Sequence, residues 1–566
     1  MIIKKITVVG FISLVISLTA CSRTEQPGAP QVDEPESHID LASRAGAPLF
    51  EGMGTHQHAI TTGNPDAQRY FNQGLVIDFA FNHAESVRSF RAAQTLDPEC
   101  AMCYWGEALA LGPNINVTSN GKVIMSDADR LSAYAAIQKA VALKEHVSQA
   151  ERDYIDALAV RYNGDPATPR EPLDEAYLNA MRDLHLKYPN DDDAAALFAE
   201  SMMNTMPWDY WLDPDNPKPL TVEVIAALET VMQRSPQHPL AIHLYIHAVE
   251  ASAMPGRAEG PADRLRNLVP GAGHLVHMPS HIYWRIGRYA DASAANVKAA
   301  AVDEAYIAAC NAQGFYPAAY YPHNIHFLWA ASSMEGRSAI AIEAARKVAA
   351  NVRLEMIEEF PGVEFFNTIP LLALTQFGRW EEVLAEPQPP VNLEYSNAIW
   401  HYVRATAYAH QGDIEAARAE YAKFTPLRDT NDVTFLDSIY YPATALLSIA
   451  DALILGEIAL AEDQFDVAIA HFRAAVDTQD ALPYTEPPFW YYPTRHTLGR
   501  ALMAAGDAPG AEQVYREDLE RVPRNGWSMY GLIQALEAQG KDSKQMQERF
   551  DKIWAQADIS LTASSF

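Results

Sequence analysis

Small, aromatic and proline residues recur along this chain at an interval of about 34 positions, and that recurrence constrains the fold more than any single motif. Residues 67–100 carry Gly74, Phe90, Ala93 and Pro98, and residues 398–431 carry Ala405, Gly412, Ala417 and Tyr421 in the slots that Gly499, Gly506, Ala511 and Tyr515 take in 492–525. Residues 449–482 repeat the marks as Gly456, Ala468, Phe472 and Ala475, and residues 492–525 as Gly499, Gly506, Ala511, Tyr515 and Pro523. Small residues let two antiparallel helices approach, and a proline ends the second, so each unit reads as a helix–turn–helix hairpin. The same marks place further units at 101–145, 150–191, 192–238, 239–272, 273–306, 322–355, 364–397 and 526–559, with insertions at 112–129, 207–219 and 307–321. One hairpin cannot bury its apolar face alone; serial hairpins can. The expected architecture is an all-α solenoid of about twelve such units with a long concave face. Alternating strand patterns are absent, and Ala-rich stretches such as 292–309 read as helix.

The spacing of these marks resembles the tetratricopeptide repeat. Four stretches sharpen the likeness: Gly74 to His83, Cys103 to Asn116, His274 to Tyr283, and Tyr321 to Phe327. Together they look like a bacterial family of large tetratricopeptide-repeat lipoproteins. That resemblance implies the fold, export and a shared histidine block, but no reaction. It also implies that positions two, five, nine, twelve and thirteen of each repeat line the concave surface.

The repeat register can be set from Gly, Ala, Tyr and Pro without using a histidine. In 239–272, positions five, nine and twelve are then His243, His247 and Glu250. In 273–306, positions two, five and nine are His274, His277 and His281, and in 322–355 positions two and five are His323 and His326. All seven histidines between 239 and 355 fall on lining positions, although indifferent placement would put about one in seven there. Spacings of three, four and seven keep side chains on one helix face, and packed helices lie about 8–10 Å apart. Imidazoles from neighbouring units are therefore expected to converge. Neutral imidazole with a carboxylate suits late first-row metals, so these eight residues are the expected ligands of a copper, zinc or iron site. Glu250 reads as either a ligand or a general base. Leu244 stands where a zinc peptidase has glutamate, which argues against that chemistry.

Other residues keep two readings. Thr55-His56-Gln57-His58 is a ligand arm or a polar lead-in loop. His83 falls at an interhelix packing slot, and Glu200 is either exposed or within reach of the His243 helix. Trp208, Tyr210 and Trp211 lie in an insertion that either roofs the groove or covers core. Asn114-Ile115-Asn116 reads as a groove lip or a simple turn. Trp527 and Tyr530 either bind a partner segment or cap the last repeat.

Lys4 and Lys5 precede an apolar run at 6–18 that ends in Leu18-Thr19-Ala20-Cys21. This resembles a bacterial lipobox behind a signal peptide, 1–20, with Cys21 as the lipidated residue. Ser22 at the next position implies outer-membrane sorting, hence a lipid anchor facing the periplasm. Residues 21–66 read as a flexible tether and N-terminal arm, followed by N-terminal repeats at 67–238, a His-rich centre at 239–355 and C-terminal repeats at 356–566. Cys100 and Cys103 are spaced for a local disulfide or a soft-metal pair, and Cys310 reads as a small buried residue.

A net charge of −29 excludes nucleic acid as an expected partner. Two functional classes remain. One is an exported metalloprotein with its centre in the groove, binding metal or using it catalytically. The other is a non-enzymatic scaffold of the cell envelope that binds peptide segments there. A solute-binding lipoprotein is a third and weaker reading. No nucleophile–base pattern or phosphate-cradling glycine loop points to a different chemistry.

Overall fold

The computed structural model describes residues 38–117, 125–310, 312 and 314–566. The expected signal peptide, Cys21 and the first part of the tether lie outside the described residues. Among the described residues every regular element is a helix, apart from one small antiparallel hairpin, Trp211–Asp213 against Asn216–Pro217. The fold is an all-α solenoid of antiparallel helical hairpins, each packed on the next.

Close helix packing explains the recurring marks. In the pair Ala443–Ala461 and Phe465–Asp480, a Cβ at Gly456 would lie 2.3 Å from the Phe472 ring. In Arg495–Ala504 and Ala508–Arg521, a Cβ at Gly499 would meet Tyr515 at 2.3 Å. Both aromatic rings are buried, so each hairpin is a ring seated in a gap that only glycine leaves. The helix Ala443–Ala461 is long and apolar enough to cross a membrane, but it packs along Phe465–Asp480 and Glu394–His410, as a core helix does.

Three consecutive hairpins form the centre. Their first helices are Pro239–Val249, the joined pair Gly273–His277 and Pro279–Arg285, and Tyr321–Met334. The middle pair meets at Met278, whose backbone is helical and whose N–H donates to the His274 carbonyl. Pro279 only removes a donor near a helix start, where that loss is tolerated.

The C-terminal hairpins curl back onto this centre. Tyr289 donates its hydroxyl to the Pro523 carbonyl, Trp527 donates its indole N–H to the Ser333 carbonyl, and Asp558 accepts the N–H of Ser338 and of Ala339. The N-terminal side closes too, because the Phe79 carbonyl accepts from His243. The centre is thus wrapped from both ends of the chain. Trp527 is buried in that seam, where it meets Trp554 and Phe566, and does not line an open groove. Cys100 and Cys103 form a disulfide.

Candidate metal centre

Six imidazoles meet in the middle of the three hairpins. His243 and His247 come from Pro239–Val249, His274, His277 and His281 from the joined middle pair, and His323 from Tyr321–Met334. They divide into two sets of three: His243, His247 and His274, then His277, His281 and His323. Within each set the ligand atoms lie within 4.8 Å of one another. Five of the rings are buried; His323 is half-buried and marks the open end.

Hydrogen bonding determines which ring nitrogen carries the proton. His243 Nδ1 lies 2.7 Å from the Phe79 carbonyl, an acceptor only, so Nδ1 is the donor and Nε2 presents a lone pair. His277 Nδ1 faces Asn296 Oδ1 at 2.6 Å, and the Asn296 amide nitrogen is used on the Ala292 carbonyl. Glu250 is the shared partner: Oε1 is 2.9 Å from His247 Nδ1 and Oε2 is 2.5 Å from His281 Nδ1. Four Nε2 atoms are therefore left as lone pairs. They face one another, His243 to His247 at 3.2 Å and His277 to His281 at 2.8 Å. His323 Nε2 adds a third nitrogen 3.1 Å from His277 Nε2. His274 goes further, because neither of its ring nitrogens has a hydrogen-bond partner although the ring is buried.

Opposed lone pairs at such distances repel unless a cation or a proton lies between them. For five of the six rings protonation is the poorer answer. Burial holds His243, His247, His274, His277 and His323 below the ordinary histidine value, and the neighbouring imidazoles push the same way. A carboxylate that orients a ligating imidazole through its second nitrogen is the usual outer partner of a metal site, and Glu250 serves one ring from each set. Burial penalises the Glu250 charge, yet the neighbouring His281 and the hydrogen bonds of both rings keep it below the ordinary carboxylate value.

The walls are aromatic. Phe81 lies 4.3 Å from His243 and 5.5 Å from His274, Trp208 lies 5.0 Å from His247, and Tyr320 lies 4.9 Å from His274. Phe327 closes the second set at 5.0 Å from His281 and 5.1 Å from His277. Phe81 and Trp208 hold φ at 58° and 61°, a region that costs bulky residues energy. Asn116 bridges the rim, accepting from the Trp208 indole N–H and donating to the Tyr320 hydroxyl. The 207–219 insertion thus roofs the box through Trp208, and Asn116 forms its lip. Tyr210 and Trp211 support that insertion, Trp211 by donating to the Ala248 carbonyl.

The structure does not bring the remaining sequence candidates to the box. His326 turns away, stacks on Trp329 at 5.2 Å and meets Phe365 and Phe366. Burial takes its pKa down to about 3. Glu200 is buried but stands near Asp78 and Arg161, and burial followed by the Asp78 charge pushes it up to about 7. His83 bonds to Asp78 at 3.0 Å.

The arm residues His56 and His58 fold back, but onto Asp193, which also takes His238 at 3.1 Å. His238 Nδ1 accepts the Ala241 N–H, so its Nε2 must donate to Asp193 and offers no lone pair. That group is a hydrogen-bonded clasp holding the arm down. Cys310 is half-buried, its sulfur accepting from Arg88.

Three residues of the site carry no repeat mark. Phe81 and Tyr320 lie outside the lining positions, and Glu486 comes from the distant 481–494 loop. Its Oε2 has no hydrogen-bond partner and stands 3.5 Å from His281 Nδ1, while Tyr484 bonds to Oε1. Burial, then the Glu250 charge, raises Glu486 well above the ordinary glutamate value. The signal available in sequence was the proline- and aromatic-rich composition of that loop, too unusual for a plain connection.

No family model and no curated protein matches the sequence. Among solved structures, the tetratricopeptide domain of P58(IPK) aligns at 11% identity over 85% of this chain and 99% of that one, with a TM-score of 0.22. Yeast Tom70 aligns at 13% identity over 87% and 92%, with a TM-score of 0.26. Human IFIT1 aligns at 11% identity over 88% and 92%, with a TM-score of 0.30. At such scores the fold rests on the helical hairpins themselves, and the imidazole box takes nothing from these neighbours.

Proposed function

We propose that this protein is a transition-metal-binding helical-repeat protein whose metal is held by the buried imidazoles of its central hairpins. The observation that carries the reading is the set of opposed Nε2 lone pairs, each fixed by an acceptor on the far side of its ring. An apolar or merely structural core would have no reason to direct them at one another. All-imidazole donors suit copper, zinc or iron. The lipobox-like Leu18-Thr19-Ala20-Cys21 supports a lipid-anchored envelope location, where such ions are encountered. Lipidation of Cys21, outer-membrane sorting and an envelope protein partner belong to this proposal.

A peptide-binding scaffold is less well supported at this place. Groove residues that grip a peptide must be reachable, whereas five of these six rings are buried, behind Trp208, Tyr320 and Phe81 in the first set and Phe327 in the second. Elemental analysis of protein purified without an affinity tag tests the assignment. The wild type is expected to carry stoichiometric metal, and His247→Ala and His277→Ala to carry much less while remaining helical. Unchanged content in both variants would refute it.

A further inference from the structure

We infer that the box is a dinuclear site, with one metal ion in the His243, His247 and His274 set and a second in the His277, His281 and His323 set. This rests on the metal-binding reading above and deepens it.

The argument starts from Glu250. Both its oxygens are used, one by a ring of each set, and the four Nδ1 donors leave each set its own inward Nε2 atoms. An ion in one set leaves the lone-pair conflict of the other untouched: His243 against His247 on one side, His277 against His281 and His323 on the other. The orphaned nitrogens of His274 supply the third donor of the first set. The two sets are adjacent, with ring centres 5.5 Å apart between His247 and His281 and 5.7 Å between His274 and His277.

A competing arrangement has a single ion held by His247, Glu250 and His281, whose donor atoms are also close together. It needs both rings reversed, with Nδ1 as lone pair and Nε2–H donating outward. His277 Nε2 would then be satisfied by His281, but His274 would keep two unpartnered nitrogens and His323 would face an occupied acceptor. Two ions give one His274 nitrogen a partner and give His323 a metal to bind.

Charge then specifies the ligand class. The imidazoles bring no negative charge, and the carboxylates of Glu250 and Glu486 supply at most two to a buried space, too little for two divalent ions. The site therefore takes either two monovalent copper ions or two divalent ions with a small anion such as hydroxide between them. Each three-imidazole set leaves a coordination position free for that anion. The half-buried His323 marks the side from which a small anion enters.

Copper titration of the full, metal-stripped chain, followed by electron paramagnetic resonance, decides the matter. The dinuclear site predicts two tightly held Cu(II) per chain, with a signal much weaker than two isolated ions would give because the pair is coupled. Adding azide should produce a new absorption band in the doubly loaded protein. The variants His243→Ala and His323→Ala each disable one set. Each should hold one ion, regain an uncoupled signal and lose the azide band, with helical content checked by circular dichroism. One ion per wild-type chain, lost on Glu250→Ala, overturns the dinuclear inference and leaves the metal-binding reading standing. No tight binding overturns both. Two ions with full uncoupled signals also overturn the shared pocket.

Discussion

At the scale of the residue, Glu250 is the hinge of the account because one carboxylate orients an imidazole in each set. Glu250→Gln keeps the shape but removes the charge and turns one oxygen into a donor. Outer-sphere partners of this kind are worth roughly 10–100-fold in metal affinity. Competition against a chromogenic chelator should show a loss of that order, with little change in fold. His326 provides the converse test. Register alone groups it with the ligands, since a lining position fixes only the side of the helix. What the ring meets depends on the neighbour, and the 356–376 region presents Phe365 and Phe366 instead of imidazoles. His326→Leu should leave metal content unchanged.

The same variant has a signed acid phenotype. A buried imidazole with a depressed pKa contributes stability present above the unfolded value near 6.5 and lost as pH falls toward its folded value of about 3. Removing it should make the protein more acid-resistant than the wild type, by about 1.4 kcal/mol for each pH unit below 6.5. Denaturant melts at pH 7 and pH 5 measure the difference. An equal shift at both pH values would contradict it.

At the scale of the element, the hairpins were legible because each mark has a steric cause. Gly456 and Phe472 are one contact seen twice in the sequence, a missing side chain on one helix and a large one on the next. Gly456→Ala must push that ring or its helix away, and overpacking of this type costs about 1–3 kcal/mol. Thermal unfolding should register it as a lowered midpoint without loss of metal, because the Ala443–Ala461 helix lies outside the box. The connections were less legible. Phe81 sits at a turn with a left-handed backbone, and Glu486 reaches His281 from a loop roughly 200 residues further along the chain. Neither periodicity nor spacing reports contacts of that range, which arise only when the solenoid curls.

At the scale of the whole molecule, both ends of the repeat array pack onto the hairpins that carry the histidines, so metal binding and global stability are coupled. Five of the six box imidazoles are held neutral by burial, and each favours unfolding as pH drops below 6.5. A bound ion competes with those protons. The metal-loaded protein should therefore unfold at a lower pH than the chelator-treated protein, in titrations followed by circular dichroism from pH 8 to pH 4. Coincident acid transitions would show that the rings bind nothing that matters to the fold.

The fold class follows from repetition, and repetition is what a sequence displays directly. The convergence of the rings follows from register plus packing. Their protonation follows from single partners, the Phe79 carbonyl and Asn296, that only the folded chain brings close. X-ray absorption at the edge of the native metal in tag-free protein addresses the central claim most directly. The account predicts a first shell of nitrogen and oxygen with the outer-shell scattering of several imidazoles. A sulfur shell, an edge without imidazole scattering, or no metal edge above background would contradict it.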